Sequence, residues 1–142
     1  MGLFRILNTM VKGASFGRRE KLKSRKAIDA LFQKGRSVVH FPIRVKYVVL
    51  PLTEEAETAQ AGFTVSKKYF KRAVQRNRIK RLLREAYRLQ KAPLLQLLAD
   101  QKQSAQLFFI YTDKSLPDYT TVFAAMAQCM HNLQQKIATP HE

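Results

Sequence analysis

The sequence has little of what disulfides, metal sites or catalytic centres require. Cysteine occurs once, at Cys129, so neither an internal disulfide nor a cluster of thiolate zinc ligands can form. The three histidines, His40, His131 and His141, lack the spacing of metal ligands. Only five glycines are present, and no glycine-rich phosphate loop is found. The sequence therefore predicts no catalytic residues and no metal site of its own.

Long hydrophobic runs are also lacking. No segment approaches the roughly 20 apolar residues that span a membrane, and the absence of tryptophan disfavours a membrane-surface helix. Residues 1–15 do not resemble a signal peptide, because Arg5 and Asn8 interrupt their apolar part. We predict no membrane partner, a cytoplasmic location, a loose extension over residues 1–15 and a short tail over residues 139–142.

Acidic residues are scarce, and this imbalance points to a partner. The chain has 142 residues, with 10 acidic against 26 basic side chains and a net charge of +16. This length fits one domain with a substantial core, which we assign to residues 16–138. So large a positive charge favours a polyanionic partner.

Most of this charge lies in one stretch, Lys67–Lys91, which has eleven basic residues and one acid, Glu85. On a helix, its part from Gln75 onward separates into two faces. The apolar face is predicted to contain Gln75, Ile79, Leu82, Leu83, Ala86 and Leu89. The basic face is predicted to contain Lys80, Arg81, Arg84, Arg88 and Lys91. A solvated helix face usually mixes charges, but Glu85 has no basic residue four positions later. The helix is therefore predicted to bind nucleic acid.

The basic helix favours structured RNA over DNA. Contacts between cations and phosphates position a protein without reading sequence. A DNA reader usually exposes amide or hydroxyl side chains to base edges, and Asn77 is the one candidate here. Recognition of RNA by shape and backbone fits better, and we predict no DNA partner.

The remaining segments predict the fold class. Arg25–Lys34 is predicted as a helix between an N-cap at Ser24 and a stop at Gly35. Strands are predicted within residues 38–50 and 61–66, and the apolar run at residues 107–111 predicts a central strand covered on both faces. A last helix is predicted over Tyr119–Ala138. The order is α-β-β-β-α-β-α, with a further short helix beginning at Pro93, and it predicts an α+β fold.

The stretch from Ser66 to Arg88, SKKYFKRAVQRNRIKRLLREAYR, resembles the signature of the bacterial ribonuclease P protein component. The core of the resemblance is Arg76-Asn77-Arg78, followed by Ile79-Lys80-Arg81 and Arg84-Glu85. Flanking elements extend it to roughly residues 16–137. The resemblance implies a single-domain α/β sandwich with a left-handed β-α-β crossover, against the right-handed default.

The resemblance also implies a function. Members of the family are the protein subunit of ribonuclease P, whose RNA subunit uses magnesium ions to remove the 5′ leader of precursor tRNA. The protein is thus an accessory subunit of an endoribonuclease. The residues implied to contact the catalytic RNA are Lys67, Lys68, Arg72, Arg76, Asn77, Arg78, Lys80, Arg81, Arg84 and Arg88.

A second surface implied by the resemblance is a cleft between the first helix and the sheet, which holds the leader. Its implied lining is Ile28, Phe32, Arg44, Lys46, Thr64 and Ser66. Ile28 stands where family members often have an aromatic residue, so base stacking is expected to rely more on Phe32. Magnesium is expected to be held by the RNA and substrate. The alternative is a ribosomal or other structured-RNA-binding protein without a processing role.

Overall fold

The structure, a computed structural model, describes residues 16–138; the extension predicted for residues 1–15 and the tail predicted for residues 139–142 lie outside this range. A short 3-10 helix, Arg18–Glu20, precedes the main elements. The helices are α1 (Arg25–Lys34), α2 (Ala73–Gln90), α3 (Ala92–Asp100) and α4 (Tyr119–Ala138). The strands are β1 (Arg36–His40), β2 (Ile43–Pro51), β3 (Ala59–Val65) and β4 (Gln103–Tyr111).

The four strands form one mixed sheet in the order β1-β2-β4-β3. β1 and β4 pair with β2 antiparallel, whereas β3 pairs with β4 in parallel. The connection from β3 to β4 contains α2 and α3, so the expected β-α-β crossover is present. The α+β class and the order of elements are confirmed; the left hand of the crossover stays a prediction.

The two faces of the sheet differ in how they are covered. On the inner face, Phe109 packs against Tyr87 of α2 at 5.3 Å between ring centroids. On the outer face, Phe108 contacts Phe32 of α1 at 5.4 Å. β4 is central, as predicted, but its outer residues are only half-buried, because α1 is short and covers part of that face. Among residues 16–138, no helix is long and apolar enough to cross a bilayer.

The buried side of α2 differs in part from the predicted stripe. Ile79, Leu83 and Ala86 are buried as predicted, but Tyr87 joins them and Leu89 is 47% exposed. On a helix of 3.6 residues per turn, residue 87 lies one turn after residue 83 and two turns after residue 79, so it shares their buried face. Residue 89 falls farther from the centre of that face. Lys91 was predicted on the basic face and is buried, where its ammonium pairs with Glu20.

Helix ends follow the predicted signals. The Ser24 hydroxyl accepts a hydrogen bond from the Ala27 N–H at 3.2 Å, and α1 stops at Gly35. A Cβ atom on Gly35 would lie 2.3 Å from the Leu31 carbonyl oxygen, so the close turn after α1 needs glycine. Asp118 accepts a hydrogen bond from the Thr121 N–H at 2.7 Å, which lowers the pKa of Asp118.

Cys129 is fully buried on α4, and burial raises the pKa of its thiol to about 12. Because the thiolate is the reactive form, we expect a thiol reagent to leave the folded protein unmodified. Addition of denaturant should then release one reactive thiol per chain. The variant Ser37→Cys, at an exposed position of β1, is the positive control and should react at once. Rapid reaction of the folded wild type would contradict the burial of Cys129.

Candidate nucleic-acid interface

The predicted RNA-contacting residues lie on α2 and on the turn before it. Seven of the ten are exposed: Lys67, Lys68, Arg72, Asn77, Arg78, Arg81 and Arg84. The other three are half-buried: Arg76, Lys80 and Arg88. The helix buries its opposite side against β3 and α4, so the exposed residues of α2 among them lie on the side that faces away from the core, whereas Lys67, Lys68 and Arg72 precede the helix.

Arg76 shapes the loop before α2. Its guanidinium donates hydrogen bonds to the carbonyl oxygens of Phe70 and Lys71, each at 2.8 Å. The Phe70 side chain is buried in the core. The loop is therefore fixed both by this buried ring and by the hydrogen bonds from Arg76. Arg72, the N-cap residue, accepts the Gln75 N–H through its carbonyl oxygen at 3.1 Å, but its side chain caps no N–H group of α2. Arg76 therefore orients the loop that presents Lys67 and Lys68.

Glu85 does have a basic partner, contrary to the expectation for this helix. Arg88 Nε donates to Glu85 Oε2 at 3.0 Å, one turn along α2. The expectation considered only residues four positions apart, whereas neighbours three apart also meet on a helix. The hydrogen bond from Arg88 lowers the pKa of Glu85. Arg88 is thus partly neutralised, and the remaining basic face lies toward the N-terminal end of α2.

The exposed cations of α2 form no ion pair within residues 16–138. Within residues 16–138, ion pairs join Arg19 to Glu57, Arg88 to Glu85 and Lys91 to Glu20. None of these pairs involves an exposed cation of α2. Repulsion between close like charges disfavours such a face unless an anion binds to it. The geometry therefore provides a surface for a polyanion along α2.

The predicted cleft residues lie on the outer face of the sheet and on α1. Register places Arg44, Ile110 and Thr64 side by side across three strands. The next row contains Lys46, Phe108 and Gly62. Arg44 is exposed and Lys46 is half-buried, and both stand on the same face as the Phe32–Phe108 contact. The structure therefore brings Phe32, Arg44, Lys46 and Thr64 to one surface.

Two of the expected cleft residues have different settings. Ile28 is half-buried on α1, one turn before Phe32. Ser66 lies just beyond β3, where its hydroxyl accepts a hydrogen bond from the Lys68 N–H at 3.1 Å. Ser66 thus orders the turn between the cleft and α2.

Phe108 and Ile110 are the cleft residues that the sequence reasoning missed. The run at residues 107–111 is apolar throughout, which hides the alternation between its two faces. Phe108 lies directly beside Lys46 and Gly62, and its ring meets Phe32 edge-on at an interplanar angle of 74°. The alternation of strand residues between two faces could have identified it. The even-numbered residues of this run share one face, opposite the buried odd-numbered residues.

Gly62 is needed where Phe108 lies. A Cβ atom at this position would lie 2.6 Å from two carbons of the Phe108 ring. A side chain at residue 62 would require the Phe108 ring to move, so the present position of this ring depends on glycine at residue 62. The floor of the cleft is therefore set by a contact between β3 and β4.

Acidic and thiol ligands do not gather in the part of the chain that the structure covers. Among residues 16–138, no group of three His, Cys, Asp or Glu side chains is placed to hold a metal ion.

Comparison with known proteins identifies the family to which this fold belongs. The family model described as Ribonuclease P matches residues 16–137. The chain belongs to the ribonuclease P protein family. A relative named Ribonuclease P protein component, from Porphyromonas gingivalis, is 40% identical over 125 residues, which is 85% of this chain and 89% of the relative. A second, from Chlorobium phaeobacteroides, is 31% identical and is covered to 88% of its length.

Solved structures of the ribonuclease P protein family share the fold. The RNase P protein of Staphylococcus aureus aligns with a TM-score of 0.63 and 21% identity, covering 80% of this chain and 94% of that one. The RNase P protein from Thermotoga maritima aligns with a TM-score of 0.59 and 22% identity, covering 83% of this chain and 97% of that one. The predicted family is confirmed, and the sandwich described above is the fold of its members.

Proposed function

We propose that this chain is the protein subunit of a ribonuclease P and binds both the catalytic RNA and the 5′ leader of precursor tRNA. It assists endonucleolytic removal of the leader, which leaves a 5′-phosphate on the tRNA. The observation that carries the proposal is the unneutralised basic face of α2 in a chain of this family. The hydrolysis itself belongs to the RNA subunit, with magnesium ions held by RNA and substrate phosphates.

In this proposal α2 and its preceding turn bind the catalytic RNA. Guanidinium groups of Arg78, Arg81 and Arg84 match phosphate oxygens, and they are exposed along one helix. Arg76 acts by fixing the turn that carries Lys67 and Lys68. Arg88 contributes less charge than its neighbours because Glu85 is its partner.

The cleft beside α1 binds the single-stranded leader in this proposal. Phe32 is 42% exposed and offers an aromatic surface for a base, supported from below by Phe108. Arg44 and Lys46 lie in adjacent rows of the same face and can donate hydrogen bonds to the backbone phosphates. Ser66 lies between β3 of the cleft and the turn before α2 along the chain, so one protein can contact RNA subunit and substrate together.

Gly62→Ala tests the cleft with substrates that differ only in the leader. The added methyl group displaces the Phe108 ring, so we expect weaker binding of precursor tRNA with a long leader. Affinity for leaderless tRNA should change little, and affinity for the catalytic RNA alone is measured separately because Gly62 also borders the cavity beside Asn77 and Arg81 of α2. The measurement is the dissociation constant of the assembled complex for substrates with and without a leader. Gly17→Ala is the matched control, because its Cβ atom would lie at an ordinary 3.8 Å from the Glu20 carboxylate. Equal behaviour of both variants would contradict the role of the cleft.

Reconstitution tests the function as a whole. The protein is added to a bacterial ribonuclease P RNA at low magnesium concentration, and leader removal is followed with time. We expect faster cleavage, and a complex that weakens with salt by about 0.7 in log K per log salt for each phosphate contact. RNA binding without faster cleavage would favour a structured-RNA-binding protein with no processing role. A flat salt response would refute the electrostatic contribution of α2.

A further inference from the structure

A pocket of about 380 Å³ lies beside α2, where the segment before α1 runs along β3. Its apolar lining includes Phe16, Leu22 and Phe63, of which Leu22 is buried. The polar lining consists of Lys21, Lys23, Asn77, Lys80, Arg81 and Arg84. Five cations and no carboxylate thus surround a floor that includes these apolar side chains.

The segment that closes this pocket is anchored to the domain. The Leu22 N–H donates to the Ala61 carbonyl oxygen at 3.0 Å, and Lys21 forms a parallel bridge with Ala61. The Phe16 ring packs edge-on against Phe63 at 5.8 Å. The wall formed by Lys21 and Lys23 is therefore held in place before any ligand binds.

The acidic residue of this segment, Glu20, pairs with a residue that does not line the pocket. Glu20 lies next to Lys21 in sequence, but its carboxylate pairs with Lys91 at the end of α2. It also accepts the Gly17 N–H at 2.9 Å. Within residues 16–138, no ion pair engages Lys21, Lys23, Lys80, Arg81 or Arg84. The fold thus concentrates cations from two separate segments around one cavity.

We propose that this pocket binds one unpaired nucleotide of the catalytic RNA, with its phosphate at the basic rim and its base against the apolar floor. The inference rests on the proposed function and adds Lys21, Lys23, Phe16 and Leu22 to the interface. Asn77 lies at the rim, where its amide can donate to and accept from a base edge.

The dimensions and chemistry favour a nucleotide over a bare phosphate or a paired helix. The volume falls within the range of about 300–1,000 Å³ that is typical of small-molecule sites. A base in a duplex is stacked and cannot enter a pocket, whereas an unpaired base can be splayed out against apolar and aromatic side chains. A bare phosphate would leave the floor formed by Phe16 and Leu22 unused.

The first test removes two pocket cations that α2 does not supply. Binding of the catalytic RNA alone is measured for wild type, for Lys21→Ala with Lys23→Ala, and for Lys34→Ala with Arg36→Ala. Both double variants remove two exposed positive charges, but only the first pair lines the pocket. We expect an affinity loss of about tenfold for the pocket pair, a salt slope smaller by about 1.4, and little change for the control.

The second test locates the nucleotide. Chemical probing of the RNA should show an unpaired nucleotide that wild type protects and the pocket variant leaves reactive. A titration with AMP distinguishes an RNA nucleotide from a free one, and we expect AMP to bind far more weakly than the RNA. AMP binding as tight as the RNA would overturn the assignment in favour of a mononucleotide site.

Two further results would overturn the pocket alone. One is equal affinity loss in the pocket and control variants, and the other is unchanged protection of every unpaired nucleotide. In both cases wild-type binding and stimulation of cleavage would leave the proposed function intact. Failure of the wild type to bind the RNA would instead refute the proposed function.

Discussion

Glu20→Gln is expected to lower the free energy of unfolding by about 3 kcal/mol, because it removes a negative charge that pairs with the buried ammonium of Lys91. The Lys91 side chain is 1% exposed, whereas Glu20 is 23% exposed. Glutamine keeps the shape of the side chain but removes the charge. Unfolding by urea, followed by circular dichroism, measures the change.

Lys91 is more deeply buried than Glu20, so substitution of each partner should have a different effect on stability. Lys91→Met leaves a carboxylate that water can still reach, so we expect a cost of only about 1 kcal/mol. The double variant should be more stable than Glu20→Gln alone, because the buried ammonium is then removed together with the carboxylate that pairs with it. A larger loss for Lys91→Met than for Glu20→Gln would contradict the arrangement of this pair.

Arg81→Ala combined with Arg84→Ala is expected to weaken binding of the catalytic RNA by on the order of 10- to 100-fold. Both guanidinium groups are exposed on α2 and neither has an acidic partner within residues 16–138. The salt dependence of binding should also become shallower. Filter binding at several salt concentrations measures both quantities.

The stability of this variant should be unchanged or slightly increased, because two repelling charges are removed. Lys34→Ala with Arg36→Ala controls for net charge, and it should bind the RNA nearly as well as wild type. Loss of the folded state in the Arg81 and Arg84 variant would show that these residues support the fold instead. Equal affinity in both variants would show that α2 is not a preferred binding face.

The sequence predicted the elements well where local signals agree. α1 has its expected limits because Ser24 and Gly35 supply a cap and a stop. The strand at residues 43–51 has its expected inner face because Ile43, Val45 and Tyr47 alternate with polar residues. Such signals depend only on neighbours along the chain.

Contacts between distant segments could not be predicted in the same way. Lys91 looks like one more cation of a basic stretch, but when buried it pairs with Glu20, 71 residues earlier. Phe108 looks like a core residue until the register sets it beside Lys46 and Gly62. Lys21 and Lys23 join the surface of α2 only because Leu22 pairs with Ala61. Each case depends on a pairing that no local pattern specifies.

The strand order has a consequence for how the protein is made. β4 is the last strand in sequence, yet it lies between β2 and β3, which do not pair with each other. A chain emerging from the ribosome can form the β1–β2 hairpin early, but β3 has no partner in the sheet until residues 103–111 are synthesised. The cleft floor and the support for the segment at Leu22 therefore arise together, late in synthesis. An incomplete chain offers neither surface in its finished form, which delays stable capture of RNA until the domain is nearly whole.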